Sequence, residues 1–189
     1  MSEDFEVEDI LENLNKKKKI KSKPKGNRGE LQICKVLNAR FADILIKNPK
    51  IGAFTRSVGS GNRWGQNVVL SEAAKQTFSG DISVPSHFKF VIESKNGYED
   101  TDLFTALSGG EKQINDFIDQ VLADAERCGR KPMIIWRKAY KPPIVFLKAG
   151  EVSETFDYQM KYRDWIIYSL DQILSFNDAF FFEIDQLNA

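Results

Sequence analysis

Apolar residues fall along this chain with two periods, and the alternation between them lays out its elements. Glu30, Ile33, Cys34, Leu37 and Phe41 recur three and four apart, the buried stripe of a helix running from a cap at Asn27 to about Phe41. Ala42 to Ile46 and Ile51 to Arg56 are apolar and separated by the breaker Asn48-Pro49, so they read as a helix end or loop followed by a first strand. Val84 and the run Phe88 to Ile92 favour β structure around the turn formers Pro85-Ser86-His87, which predicts a hairpin. Asn96-Gly97 marks another turn. Ser108-x-x-Glu111 then opens the clearest helix, whose face is Ile114, Phe117, Ile118, Val121, Leu122, Ala125 and Cys128 and whose stop is Gly129. Met133 to Trp136, Ile144 to Leu147 and Trp165 to Tyr168 read as strands. Ser169 to Ser175 begins a short helix, and Phe180 to Ile184 is an aromatic run suited to a core or a dimer surface. This order describes an α/β sandwich around a mixed sheet.

Length and composition narrow the class. With 189 residues, 42% hydrophobic and 29% charged, the chain can bury a substantial core as one domain. It has no apolar run of membrane-spanning length, and the acidic Met1-Ser2-Glu3-Asp4 is unlike a signal sequence, so an intracellular protein with no membrane partner is expected, cytoplasmic or nucleoid-associated. One histidine and two distant cysteines make zinc improbable, and Cys34 and Cys128 on apolar helix faces read as buried free thiols. Net charge is zero, yet its distribution is polarised. Glu3, Asp4, Glu6, Glu8, Asp9 and Glu12 precede Lys16, Lys17, Lys18, Lys19, Lys21, Lys23, Lys25 and Arg28. Residues 1–25 therefore read as a disordered charged arm whose bases would attract a phosphate backbone without sequence preference, although a plain solvated tail has the same composition.

The hairpin carries the chemistry. If it is centred near His87, Asp81 falls opposite Glu93, and the strand period of two puts Glu93 and Lys95 on one face and Ile92 and Ser94 on the other. Two carboxylates so placed repel unless a cation sits between them, and hard oxygen ligands suit Mg²⁺ or Mn²⁺. A lysine beside that metal can orient water or stabilise charge on a phosphate, so Asp, hairpin, Glu-x-Lys is a signal of phosphodiester hydrolysis. The same triplet also fits a surface hairpin with an ordinary salt bridge. Upstream, Ser57-Val58-Gly59-Ser60-Gly61-Asn62-Arg63 is a glycine-rich loop in which Arg56 and Arg63 could hold phosphates and Ser57 and Ser60 could donate hydrogen bonds. Residues 64–78 lengthen this connection as a lid or DNA-contacting turn.

Ser79-Gly80-Asp81 followed by Val91-Ile92-Glu93-Ser94-Lys95 resembles the PD-(D/E)xK nuclease signature, with Gly80 where the family's proline often stands. Gly26-Asn27-Arg28-Gly29-Glu30-Leu31 resembles the family's upstream helix with its acid, and Phe54 to Gly61 is similar to the arginine, serine and glycine segment of archaeal-type Holliday junction resolvases. The resemblance implies a restriction-endonuclease-like core over residues 26–189. It implies metal binding by Asp81 and Glu93, with Glu30 and the Ser94 carbonyl joining, and water positioning by Lys95. Arg56 and Ser57 would hold the phosphate of a DNA substrate, and a homodimer would cut four-way junctions. Asn27-x-x-Glu30 also matches a capping box, which would use Glu30 locally instead. A restriction- or repair-type nuclease acting on linear DNA shares the core motif, and a non-catalytic DNA-binding subunit could keep the fold.

Overall fold

The computed structural model describes residues 22–57, 79–101, 103–104, 112–152 and 160–187. The lysine run from Lys16 to Lys21, the side chains of Lys23 and Lys25, Ser60, Arg63, residues 64–78 and the Ser108-x-x-Glu111 helix start lie outside the described residues. Two helices come first, α1 at Ser22–Arg40 and α2 at Ala42–Lys47. Three strands follow, β1 at Thr55–Arg56, β2 at Ile82–Ser83 and β3 at Phe90–Asn96. Helix α3 at Lys112–Cys128 crosses to β4 at Lys131–Arg137, and β5 at Ile144–Lys148, β6 at Met160–Tyr162 and β7 at Trp165–Ser169 complete the strands. Short helices α4 at Leu170–Leu174, α5 at Asp178–Phe181 and α6 at Ile184–Leu187 end the chain.

Among the described residues these strands form one seven-stranded mixed sheet in the order β1-β2-β3-β4-β5-β7-β6. β3 and β4 run parallel, because a crossover helix joins them, and the other neighbours are antiparallel. As the strand between β2 and β4, β3 is buried on both faces, and its alternation sorts side chains between two cores. Phe90 and Ile92 join Ile33, Leu37 and Phe41 of α1, whereas Val91 joins Ile114, Phe117 and Val121 of α3. Helices on both faces of a mixed sheet are the α/β architecture expected from the residue pattern.

The first core is aromatic. The Phe41 ring lies 4.9 Å from Phe181, 5.2 Å from Phe182 and 5.7 Å from Phe54, centroid to centroid, in mostly edge-to-face contacts. The C-terminal aromatic run is thus core rather than dimer surface: Phe181 and Phe182 are buried, and Phe182 forms an isolated bridge to Phe88. Arg40 secures the same junction, donating to the carbonyls of Leu174 at 2.6 Å and Phe176 at 2.8 Å and to Asp178 at 2.9 Å.

Helix α1 starts at Ser22, earlier than the expected Asn27 cap. Pro24 is compatible with that start, because first-turn amides have no intrahelical partner to lose. Asn27 is therefore inside the helix, and the capping-box use of Glu30 does not arise. Gly129 closes α3 as expected, at φ +69° with its amide donating to the Ala125 carbonyl. Cys34 and Cys128 are buried free thiols. No described helix is long and apolar enough to cross a membrane.

Because Phe41 closes the α1 stripe against four other rings, Phe41→Ala is expected to cost about 3–5 kcal/mol of stability. Urea denaturation followed by tryptophan fluorescence measures it, and a loss below about 1 kcal/mol would mean that the ring cluster does not anchor α1.

Candidate active site

The site begins with hairpin register. Ile82 pairs with Ile92, and the Asp81 amide donates to the Ile92 carbonyl at 3.0 Å, so Asp81 stands beside Glu93. The Ser94 amide donates to Asp81 Oδ2 at 3.0 Å, orienting the carboxylate along β3. Gly80 makes this approach possible. Its φ is +75°, and a Cβ there would lie 2.6 Å from the Ile92 carbonyl oxygen. Proline, locked near −65°, cannot take that backbone, which explains glycine at this position.

Glu93 and Lys95 project together toward α3, as the strand period requires. Lys95 Nζ donates to Glu93 Oε1 at 2.5 Å and to Gln120 Oε1 at 2.7 Å, and lies 5.1 Å from the centre of the Phe117 ring. Both charged side chains are buried, and Glu93 Oε2 is buried with no hydrogen-bond partner. Burial foremost, and then the charge of Asp81, pushes the Glu93 carboxyl well above the ordinary glutamate range against the opposing pull of Lys95.

Glu30 enters from α1. Gly29 lets the helix lie against the end of β3, since a Cβ there would stand 2.8 Å from Asn96 Cγ. The Glu30 carboxylate pairs with Arg56 Nε of β1. Burial raises its proton affinity, Arg56 lowers it, and the charge of Asp81 raises it again. The same carboxylate, after burial, helps push the Cys34 thiol up to about 11, leaving it protonated and unreactive at neutral pH. Ser57 is buried, its amide donating to the Asp81 carbonyl at 3.0 Å and its hydroxyl 3.4 Å from that of Ser83. Arg28 is exposed on α1.

Two residues enter the site without having been singled out from sequence. Gln120 is the second acceptor of Lys95, and on a helix surface it carries no distinguishing signal. Asp124 does carry one: it is an acid within the apolar series Phe117, Val121, Asp124, Cys128. Buried on that stripe, its carboxylate accepts the Gly80 amide and the Arg127 guanidinium at 2.6 Å. Burial pushes its pKa up while Arg127 pulls it down. Asp124 thus clamps the turn that presents Asp81.

The donor set fits a hard divalent cation. Asp81 and Glu93 supply carboxyl oxygens, and Glu93 Oε2 is buried with no hydrogen-bond partner, the condition a cation would relieve. Among the described residues no three acidic, imidazole or thiol side chains converge into one cluster, consistent with Glu30 being turned to Arg56.

Comparison with known proteins agrees with this geometry. The family model described as phage putative PDDEXK endonuclease matches residues 21–189. No curated protein and no solved structure matches the chain.

The raised Glu93 value has a sign that can be measured. The folded state holds this proton more tightly than the unfolded chain, so the contribution to stability is complete below the ordinary value of 4.5 and is lost as pH rises through the raised value. The metal-free protein is expected to lose thermal stability from about pH 4.5 upward relative to Glu93→Gln, which keeps a neutral group of the same shape at every pH. Parallel Tm–pH curves for the two proteins would show that Glu93 is ionised in the fold without metal.

Proposed function

The chain belongs to the phage PDDEXK endonuclease family, and we propose that it is a metal-dependent DNA endonuclease centred on Asp81, Glu93 and Lys95. The observation that carries this reading is the buried Glu93 carboxylate, one oxygen bonded to Lys95 and the other unpartnered beside Asp81. Asp81, Glu93 and the Ser94 carbonyl would hold Mg²⁺ or Mn²⁺, with Glu30 joining directly or through water. The metal would supply Lewis-acid polarisation of the phosphate and a more acidic water.

The chain's own residues supply the rest. Lys95 has three N–H donors, of which Glu93 and Gln120 take two, so the third is available to a water or a phosphate oxygen. Its ammonium stabilises negative charge developing on the phosphate, an effect strengthened by burial. Gln120 and Glu93 together prevent the lysine from swinging away. Arg56, held to Glu30 through its Nε, stands on β1 beside the site, where its positive charge would attract a substrate phosphate. Hydrolysis would proceed by in-line attack of water, forming one P–O bond as the bond to the leaving sugar oxygen breaks, with no covalent enzyme intermediate. The likeness of Phe54 to Gly61 to archaeal-type resolvases supports a narrower reading, in which a homodimer cuts four-way junctions symmetrically. Lys16 to Lys25, Arg28 and Arg63 would add backbone contacts.

The test is cleavage of labelled four-way junction, flap, linear duplex and single-stranded DNA with and without Mg²⁺ or Mn²⁺. Asp81→Asn and Glu93→Gln are expected to abolish cutting while leaving DNA binding, and Lys95→Ala to slow it by about 10²–10³-fold. Paired symmetric nicks in the junction alone would establish the resolvase reading, and cutting of every substrate would replace it with a general nuclease. Cleavage retained by Asp81→Asn would overturn the proposed metal site.

A further inference from the structure

The tip between β4 and β5, Arg137-Lys138-Ala139-Tyr140-Lys141-Pro142-Pro143, holds three bases and no acid. It is fastened on every side. Arg137 donates to the Gly29 carbonyl at 3.3 Å and to Gln32 at 2.7 Å, Lys138 Nζ donates to the Thr101 carbonyl at 2.5 Å, and the Ala139 amide donates to the Glu99 carboxylate at 3.2 Å. The Pro143 carbonyl accepts the Leu170 amide at 2.9 Å. At the apex of this fixed turn Tyr140 has 104% relative exposure and φ +58°, a left-handed backbone that a tyrosine adopts only against strain. A braced turn thus displays, on a strained backbone, an aromatic ring that packs against none of the described residues.

Its position says what the ring is for. In the parallel register Lys95 pairs with Trp136 and Asn96 with Arg137, so the tip continues past the end of β3 that carries Lys95. Four residues of chain reach at most about 14 Å, and one strand spacing adds about 5 Å, so Tyr140 is within about six base-pair steps of Lys95. Glu99, the acid touching the tip, is occupied by the Ala139 amide. Resting on the nuclease reading above, we infer that Tyr140 is a stacking platform for an unpaired base of the DNA substrate close to the cut. Aromatic rings stack on any base, and the flanking Lys141 is exposed and placed to meet the adjoining phosphate. A fully paired duplex hides its base faces, so the substrate class this selects is DNA with an unpaired or displaced base near the scissile bond.

The test uses the full chain carrying Asp81→Asn, with DNA holding 2-aminopurine at an unpaired position within six nucleotides of the cut. Binding should quench the fluorophore, and Tyr140→Phe should keep the quenching. Tyr140→Asn tolerates the left-handed backbone but lacks the ring. It should abolish quenching and weaken binding of gapped DNA by about 5- to 150-fold, equally at low and high salt, with paired-duplex affinity and Tm not reduced. Lys141→Ala should instead flatten the salt dependence. Unchanged quenching and affinity in Tyr140→Asn, or a fall in its Tm accounting for the loss, would overturn the stacking role while leaving the nuclease reading intact if the parent protein binds and cuts DNA. A protein that neither binds nor cuts DNA would overturn both.

Discussion

Everything at this site depends on removing Glu93 and Lys95 from water together. Each alone in that position would be a buried charge, and breaking such a pair costs about 3–5 kcal/mol because the survivor is left uncompensated. The pair does not balance itself, since Asp81 adds a second carboxylate on the same face and Glu93 Oε2 keeps no donor. The surrounding structure holds this imbalance in place. Gln120 fixes the lysine from α3, the Ser94 amide fixes Asp81 from β3, and Asp124 fixes the Gly80 turn.

Close approach of backbone is what allows so many charges to converge. Two glycines supply it in different ways. Gly80 supplies a left-handed turn that lets the chain pass against Ile92, and Gly29 supplies missing volume so that α1 can rest on Asn96. Arg137 then reinforces the second contact by donating to the Gly29 carbonyl and Gln32, so the β4 end is tied to α1, and α1 to β1 through the Glu30–Arg56 pair. The aromatic cluster around Phe41 anchors the other end of α1. The site is therefore built where two cores, one on each face of the sheet, meet the edge formed by β1 and β2.

The residue pattern made much of this legible. Turn formers centred at His87 are enough to set Asp81 against Glu93, because hairpin pairing conserves the sum of partner positions, and the observed Ile82–Ile92 pair has that sum. β4, β5 and β7 were readable as uninterrupted apolar runs. β6 was not, since Met160-Lys161-Tyr162 is too short and too polar to stand out before β7 pairs with it. The cap at Asn27 misplaced the start of α1, because a good capping residue does not force a helix to begin when preceding residues can also be helical.

By itself the sequence determined the local facts: which faces are apolar, where the chain turns, and that an acid, a second acid and a lysine share a strand face. These follow from periods of two and 3.6 that need no knowledge of neighbours. Tertiary structure alone decided that Glu30 meets Arg56 rather than its own helix end, that Gln120 of α3 reaches Lys95, that Asp124 clamps Gly80, and that Tyr140 is left bare. Each of these depends on how far one element slides along another, which side-chain volume and close backbone approach set and local periodicity does not encode.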